Sequence, residues 1–362
     1  MATKFLADPT VMEGGTPHPP GSLVARQSGH QRFMHADLSL PSRSALKPFV
    51  QERAIRSLAE LCCTLVAFFA GLAVGVANPF GLGWLVAVPQ GVVVTRLFIL
   101  MHDHVHGAYL RRRPWASMLF SWVGLFTLSP VSVWRQSHGF HHRHTGWQRS
   151  AHVGSYPVWT VAKWRAASVR GRLVYRWMRH PGNAVLGVFT VFAYGMTLRP
   201  LLQRPRAHPD ALAALVLHLG LFVSCAAFGA LPGWVRVVLL PLAIASCIGA
   251  VLFYIQHNFP GVRYITSDRQ AGPRVQLGCS SQLDAPRWTH IALANIGYHA
   301  VHHHYEVIPF YRLPEVYAAF PAFAATPRVR LGPASLRACY GLGLWDDNAQ
   351  RMRTWQEVAA LS

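Results

Sequence analysis

The sequence predicts an all-α integral membrane protein with four transmembrane helices in two hairpins and a cytoplasmic helical cap holding a histidine-rich two-metal site. Three observations predict it. Of 362 residues, 52% are hydrophobic and 13% charged, and mean hydropathy is +0.22, more apolar than soluble domains usually are. The apolar residues collect in two long blocks, Ala59–Met101 and Ala211–Ile255, each broken once by a Pro/Gly stretch, ANPFGLG at Ala77–Gly83 and GALPGW at Gly229–Trp234. Histidines then recur at helical spacing beside the ends of those blocks.

Residues 1–43 are polar and rich in Pro, Gly and Ser, without apolar periodicity, and are expected to be a disordered cytoplasmic tail whose His18, His30 and His35 are bystanders. The membrane domain is expected over residues 44–320, with spans at about Glu60–Ala77, Trp84–Met101, Asp210–Gly229 and Val235–Gln256. Segments of about 18 to 20 apolar residues suffice to cross the hydrocarbon of a bilayer. Arg96, one to two turns before the end of the second span, either snorkels to the interface or neutralises an acidic neighbour such as Asp103. Trp115–Leu128 is too short to cross and suits an interfacial or buried helix, and Tyr156–Pro209 reads as helices on or dipping into the cytoplasmic leaflet. Residues 321–362 form a C-terminal cytoplasmic segment ending in a mixed helix with Trp345 and Trp355.

The net charge of +20 does not imply nucleic-acid binding, because the cations are interleaved with apolar helices. They report orientation instead. No Asp or Glu occurs from His104 to Pro209, nine Lys/Arg lie between Arg135 and Arg179, and both hairpin tips are uncharged. By the positive-inside bias the tips face out and the rest faces the cytoplasm, in the inner (cytoplasmic) membrane. The six cysteines form no CxxC and no paired framework. The first apolar block begins near residue 58, too late and too long for a cleaved secretory signal.

Nine histidines carry the chemistry. MHDHVHG supplies His102 and His106 at i, i+4; WRQSHGFHHRHTG supplies His138, His141 and His142; YIQHNFPG places His257 at the mouth of the fourth span; NIGYHAVHHHYEVIPFYRL supplies His299, His302 and His303. Spacings of three and four put each set on one helical face. One metal takes four to six ligands, so nine imidazoles imply two ions with open positions. Asn295, four residues before His299, is expected on the same face and within reach of a metal directly or through water. His104 and His144 fall outside the pattern, as does His152, and each is expected to face solvent or line the site. Imidazole suits several metals. A hydrolytic zinc site would need a general base, for which Asp103, Asp284 and Glu306 are the main candidates. A site facing an apolar bundle is better placed to act on a lipid chain, where oxidation of an unactivated methylene requires O₂ activation by metal.

These stretches, with LGCSS at Leu277–Ser281, are similar to the histidine boxes of the membrane-bound fatty acyl desaturase family, in its bacterial and plant acyl-lipid branch, over about Val92 to Val316. The resemblance implies a non-haem di-iron centre, O₂ as co-substrate, an external electron donor (ferredoxin or cytochrome b5-like), a lipid acyl substrate and removal of two hydrogens to form a double bond. By position it makes His102, His106, His138, His141, His142, His257, His299, His302 and His303 iron ligands, with Asn295 in contact through water. Val105 and Ala300 depart from the family pattern at positions that are not ligands. A di-iron lipid or alkyl hydroxylase, or a carotenoid oxygenase, is the alternative on the same scaffold. A histidine-rich metal transporter fits less well, since only His218 lies inside a span.

Overall fold

Among the described residues, four helices are long and apolar enough to cross a bilayer: Ala54–Ala77, Pro79–Val105, Pro209–Ala227 and Leu231–His257, of 24, 27, 19 and 27 residues. They are seen in a computed structural model that describes residues 39–150, 153, 155–266 and 277–360. The expected tail up to residue 38, with His18, His30 and His35, and likewise His152, lies outside the described residues. The first span starts at Ala54 where Glu60 was expected, because Arg56 and Glu60 pair at i, i+4 (3.1 Å) and so sit comfortably in a helix.

The first tip is built by turn chemistry. Asn78 ends the first span with left-handed backbone (φ 46°) and its Oδ1 accepts from the Gly83 N–H at 3.1 Å. Arg236, just past the second tip, reaches across to donate to the Gly75 carbonyl (2.6 Å), filling an acceptor that the end of the first helix leaves open. The first and second spans pack along their lengths, and the second packs equally closely on the fourth. That second contact needs a glycine: a Cβ on Gly91 would stand 2.5 Å from Ile244 Cγ2 and 3.1 Å from the Pro241 carbonyl.

The third span meets the start of the fourth across the tip, Phe222 edge-on to Trp234 (5.3 Å). Its other main neighbours are the Pro114–Phe126 helix and the Val188–Leu198 segment, a π-helix, and His218 Nε2 donates to the Phe126 carbonyl (3.0 Å). Its Asp210 accepts from the backbone N–H (2.8 Å) and hydroxyl (2.5 Å) of Ser132, capping the Val131–Arg143 helix from a neighbouring element. Pro114–Phe126 and Val131–Arg143 meet at 89°, turning the second histidine set back across the bundle.

Beyond the fourth span the described residues form short helices and two small sheets. Gln282–Asp284 runs parallel to Arg328–Arg330, with Leu283 opposite Val329. The expected mixed helix at the C-terminus is instead a hairpin, Leu342–Asp346 against Arg351–Thr354, followed by the short helix Trp355–Ala359. Asp346 Oδ1 accepts from the backbone N–H groups of Asn348 and Ala349, which favours a turn over helix. Buried Arg179 joins this hairpin to the fourth-span exit through the Leu342 carbonyl (3.2 Å), Asn258 Oδ1 (2.9 Å) and the Pro157 carbonyl (2.9 Å). Arg96 takes the second expected role, neutralising an acidic neighbour, but that neighbour is not Asp103. The guanidinium pairs with Glu60 of the first span (2.5 Å) and donates to the Ile291 carbonyl, bracing two spans against the segment that leads to the last histidines.

Gly91→Val is expected to destabilise by about 1–3 kcal/mol through overpacking. Gly220→Val, whose Cβ would meet nothing within 4 Å, should stay within about 0.5 kcal/mol. Thermal unfolding of the detergent-solubilised protein checks both, and equal midpoints would contradict the close second–fourth contact.

Candidate metal centre

Four helix ends deliver the nine histidines. His102 lies in the last turn of the second span and His106 caps it, its N–H bonded to the His102 carbonyl at 3.2 Å. Val131–Arg143 carries His138, His141 and His142, the fourth span ends on His257, and the short helix His299–His304 presents His299, His302 and His303. Their rings converge in two groups. The ligand nitrogens of His102, His106, His138, His142 and His302 lie within 4.8 Å of one another, as do those of His141, His257 and His303. His299 joins the second group, its Nε2 3.0 Å from Nε2 of both His257 and His303.

Neighbouring Nε2 atoms are 2.8 Å apart for His102–His138, 3.0 Å for His138–His142 and 3.1 Å for both His142–His302 and His141–His257. Ligands about 90° apart on a metal with M–N bonds of about 2.1 Å would stand about 3.0 Å from each other. Hydrogen bonding outside the rings decides what those nitrogens offer. His257 Nδ1 is 3.1 Å from the Cys279 carbonyl, which can only accept, so Nδ1 carries the proton and Nε2 turns a lone pair inward. Thr145 Oγ1 donates to the His141 carbonyl (2.7 Å) and therefore accepts from His303 Nδ1 (3.0 Å), with the same result. His102 Nδ1 meets Asp103 Oδ1 at 3.0 Å, while Asp103 Oδ2 accepts from the Phe310 N–H (2.8 Å). Lone pairs of His257 and His303 thus both point at His299 Nε2, and one imidazole proton cannot serve both. Nε2 of His106 is buried without a partner. A convergence of buried lone pairs and unpartnered nitrogens is what a cation resolves.

Burial, reinforced by neighbouring imidazoles, holds His106, His299, His302 and His303 well below the ordinary histidine range, so they stand neutral, as ligands must. Toward the bundle, the Trp134 ring stacks on His138 (4.5 Å) and meets Phe98 edge-on (4.9 Å). Phe98 also lines a small apolar cavity of about 20 Å³ with Val94, Phe192, Leu242 and Gly249. The nitrogens therefore stand over an aromatic floor with apolar space beneath it.

Other sequence candidates fall elsewhere. His104 bonds the Tyr109 carbonyl and Ser117, and His144 stacks on Phe140. Asp284 pairs with Arg330 (3.3 Å) at the surface. Asn295 is not on the helical face of His299: that helix begins at His299, and Asn295 precedes it in a turn with left-handed backbone (φ 55°). Sequence reasoning missed Thr145 and the Cys279 carbonyl and gave Asp103 a different role. Thr145 carried only a weak signal, four residues after His141 but past the end of the helix at Arg143, from where its hydroxyl reaches back to the His141 carbonyl. LGCSS is explained by its attachment to the last turn of the fourth span, Ser281 Oγ donating to the Ile255 carbonyl (3.0 Å) and its N–H to the Gln256 carbonyl (2.9 Å).

A family model described as fatty acid desaturase matches residues 79–333, a range that contains all nine histidines. The chain is 26% identical over 336 residues to a fatty acid desaturase of Bacillus subtilis (strain 168), covering 91% of this chain and 93% of the relative. It is 23% identical to an sn-1 oleoyl-lipid 12-desaturase of Picosynechococcus sp. (65% of this chain, 69% of the relative) and 20% identical to a chloroplastic omega-6 fatty acid desaturase of Glycine max (72% and 61%). With the match spanning most of the spans and every histidine of the two groups, the chain belongs to the fatty acid desaturase family, and is an oxidoreductase.

Proposed function

We propose that the protein is an O₂-dependent desaturase that introduces a C=C double bond into the acyl chain of a membrane lipid, at a centre of two iron ions. The observation that carries this reading is the division of nine imidazoles, six of them buried and three partly buried, into a group of five and a group of four above an apolar cavity. His102, His106, His138, His142 and His302 would hold one ion; His141, His257, His299 and His303 would hold the other, with Asn295 in contact through water. The bound ions would supply the oxidising power that no side chain has, so that O₂, two electrons and two protons take two hydrogens from the chain and leave as two waters. The protein's own part is to keep the nitrogens neutral and aimed, exclude bulk water and seat the chain against the Phe98–Trp134 floor. That the relatives include proteins named for oleoyl-lipid and omega-6 desaturation supports an acyl-lipid substrate.

The electrons would come from a ferredoxin- or cytochrome b5-like protein. Arg143, Arg149, Lys163 and Arg165 are all exposed near the histidine end of the bundle, where an acidic carrier would be attracted. The concentration of cations from Arg135 to Arg179 supports placing this end in the cytoplasm.

Expression in a host with a compatible donor, with fatty acids read by gas chromatography and mass spectrometry, should show a new unsaturated chain that vanishes in His302→Ala. Unchanged lipids from a purified protein that holds zinc would overturn the reading, and a hydroxylated product would move it to the hydroxylase alternative. Thr145→Val, which removes the acceptor for His303 Nδ1, is expected to weaken retention of the second ion by about 10–100-fold, and Thr145→Ser should restore it. Metal analysis under chelator titration separates these outcomes, and identical retention in both variants would remove Thr145 from this role.

A further inference from the structure

The helix Val169–Met178 turns outward a face that mixes apolar side chains with cations. Val169, Leu173, Val174 and Trp177, at i, i+4, i+5 and i+8, form an exposed apolar stripe. Arg170 lies within that stripe and Arg176 at its border, and both are exposed, Arg176 over the Trp355 ring (5.2 Å). The other face is covered: Tyr175 is buried with Trp164, Leu344 and Val358, its hydroxyl donating to the Gly343 carbonyl (2.7 Å). Arg172 donates to the Trp164 and Arg165 carbonyls, which ties the short helix Val161–Ala166, with its exposed Lys163 and Arg165, to the same edge.

Among the described residues no acid answers Lys163, Arg165, Arg170 or Arg176. Asp and Glu are absent from His104 to Pro209. On the C-terminal segment that covers the helix, Asp346 is paired with Arg353 and Glu357 with Arg351. Two contacts then fix the level of the helix. Arg179, one residue past its end, donates to Oδ1 of Asn258 (2.9 Å), the residue after the fourth span stops at His257. A few residues later Gly187 is already well inside that span, where a Cβ would stand 3.1 Å from the Ser246 carbonyl. A basic, apolar-striped helix that leads directly into the bundle lies at the headgroup–acyl boundary.

We propose that this face is a binding surface for anionic phospholipid in the leaflet at the histidine end of the spans. The apolar stripe dips among the acyl chains, while the guanidinium groups of Arg165, Arg170 and Arg176 and the Lys163 ammonium meet headgroup phosphates. The interleaving favours a membrane over a soluble partner. Any of these cations can attract an acidic carrier from a distance, but a carrier docked here would have to press charged groups against four apolar side chains and desolvate them.

The test uses the full chain in nanodiscs of equimolar phosphatidylglycerol and phosphatidylcholine, each with the same photoactivatable diazirine acyl chain, the adducts being told apart and mapped by peptide mass spectrometry. The ratio of glycerol to choline adducts on peptides carrying 169–178 is expected to exceed that on the third span around Leu219, which is simply lipid-facing, by about fivefold or more, the weight of at least one cation at an anionic surface. Raising the salt should shrink the excess in the unaltered protein. The triple variant Arg165→Gln, Arg170→Gln, Arg176→Gln should bring the ratio down to the third-span value, and Arg170→Lys with Arg176→Lys should preserve it. Third-span labelling checks that each variant is folded and embedded. A ratio no higher than that of the third span, or one indifferent to both salt and the triple variant, would overturn the surface. So would a triple variant that keeps its ratio but loses association with an acidic [2Fe–2S] ferredoxin, since the face would then belong to a protein partner.

Discussion

Buried imidazole lone pairs facing one another at about 3 Å are the constraint on which the rest of this structure depends. Such a cluster repels itself unless cations sit among the nitrogens, so its geometry has to be imposed by everything around it. Four helix ends do the imposing, and each is braced by a contact far away in sequence. The Val131–Arg143 helix is capped by Asp210 of the third span, the segment before His299 is held by Arg96 of the second, and the fourth-span exit is tied to the C-terminal hairpin through Arg179. Elements with no ligand of their own are thereby required for the site.

The two groups are supported differently. The group of five has a carboxyl group behind it, Asp103, itself anchored by the Phe310 N–H from the stretch after the last histidines. The group of four is aimed by neutral acceptors, a backbone carbonyl at Cys279 and a hydroxyl at Thr145. Hydrogen bonds behind metal-facing imidazoles set both ring orientation and ligand basicity. The two positions are thus chemically unequal before any ion enters, and equal treatment of the two proposed iron sites would be unjustified.

The four apolar helices and the histidine sets were legible in the sequence because both rest on local periodicity: an unbroken apolar run has to be long to cross a bilayer, and histidines at i, i+3 and i+4 share a helical face whatever lies beyond. Illegible features depend on partners distant in the chain. Arg96 had a sequence neighbour in Asp103, but its acidic partner is Glu60, 36 residues away on the facing span. Trp345 stands in too short a strand for alternation to outweigh the helical look of its surroundings, and Asp346 as a turn-former was the weaker signal. Asn295 failed as a face-sharing residue because the i+4 rule assumes a helix that has already started, and this one starts at His299. The Cys279 carbonyl illustrates a general limit: a backbone acceptor has no residue-type signature, so LGCSS could be matched to a family but not given a role from its side chains.

The depth of the site follows from the same helix ends. His102 and His257 close the second and fourth spans, so the nitrogens begin where the apolar helices finish, and Phe98 with Trp134 occupies the boundary. An acyl chain rising within the bundle would meet that floor without passing through water, while a polar carrier approaching from the exposed cations would meet the site from its other side. The proposed chemistry needs this separation, since a methylene must be delivered dry and electrons must arrive from a soluble protein. A metal centre at the mouth of an apolar bundle serves both, whereas one buried at mid-span would lie out of reach of the carrier, and one far beyond the helix ends would force the chain out of the lipid.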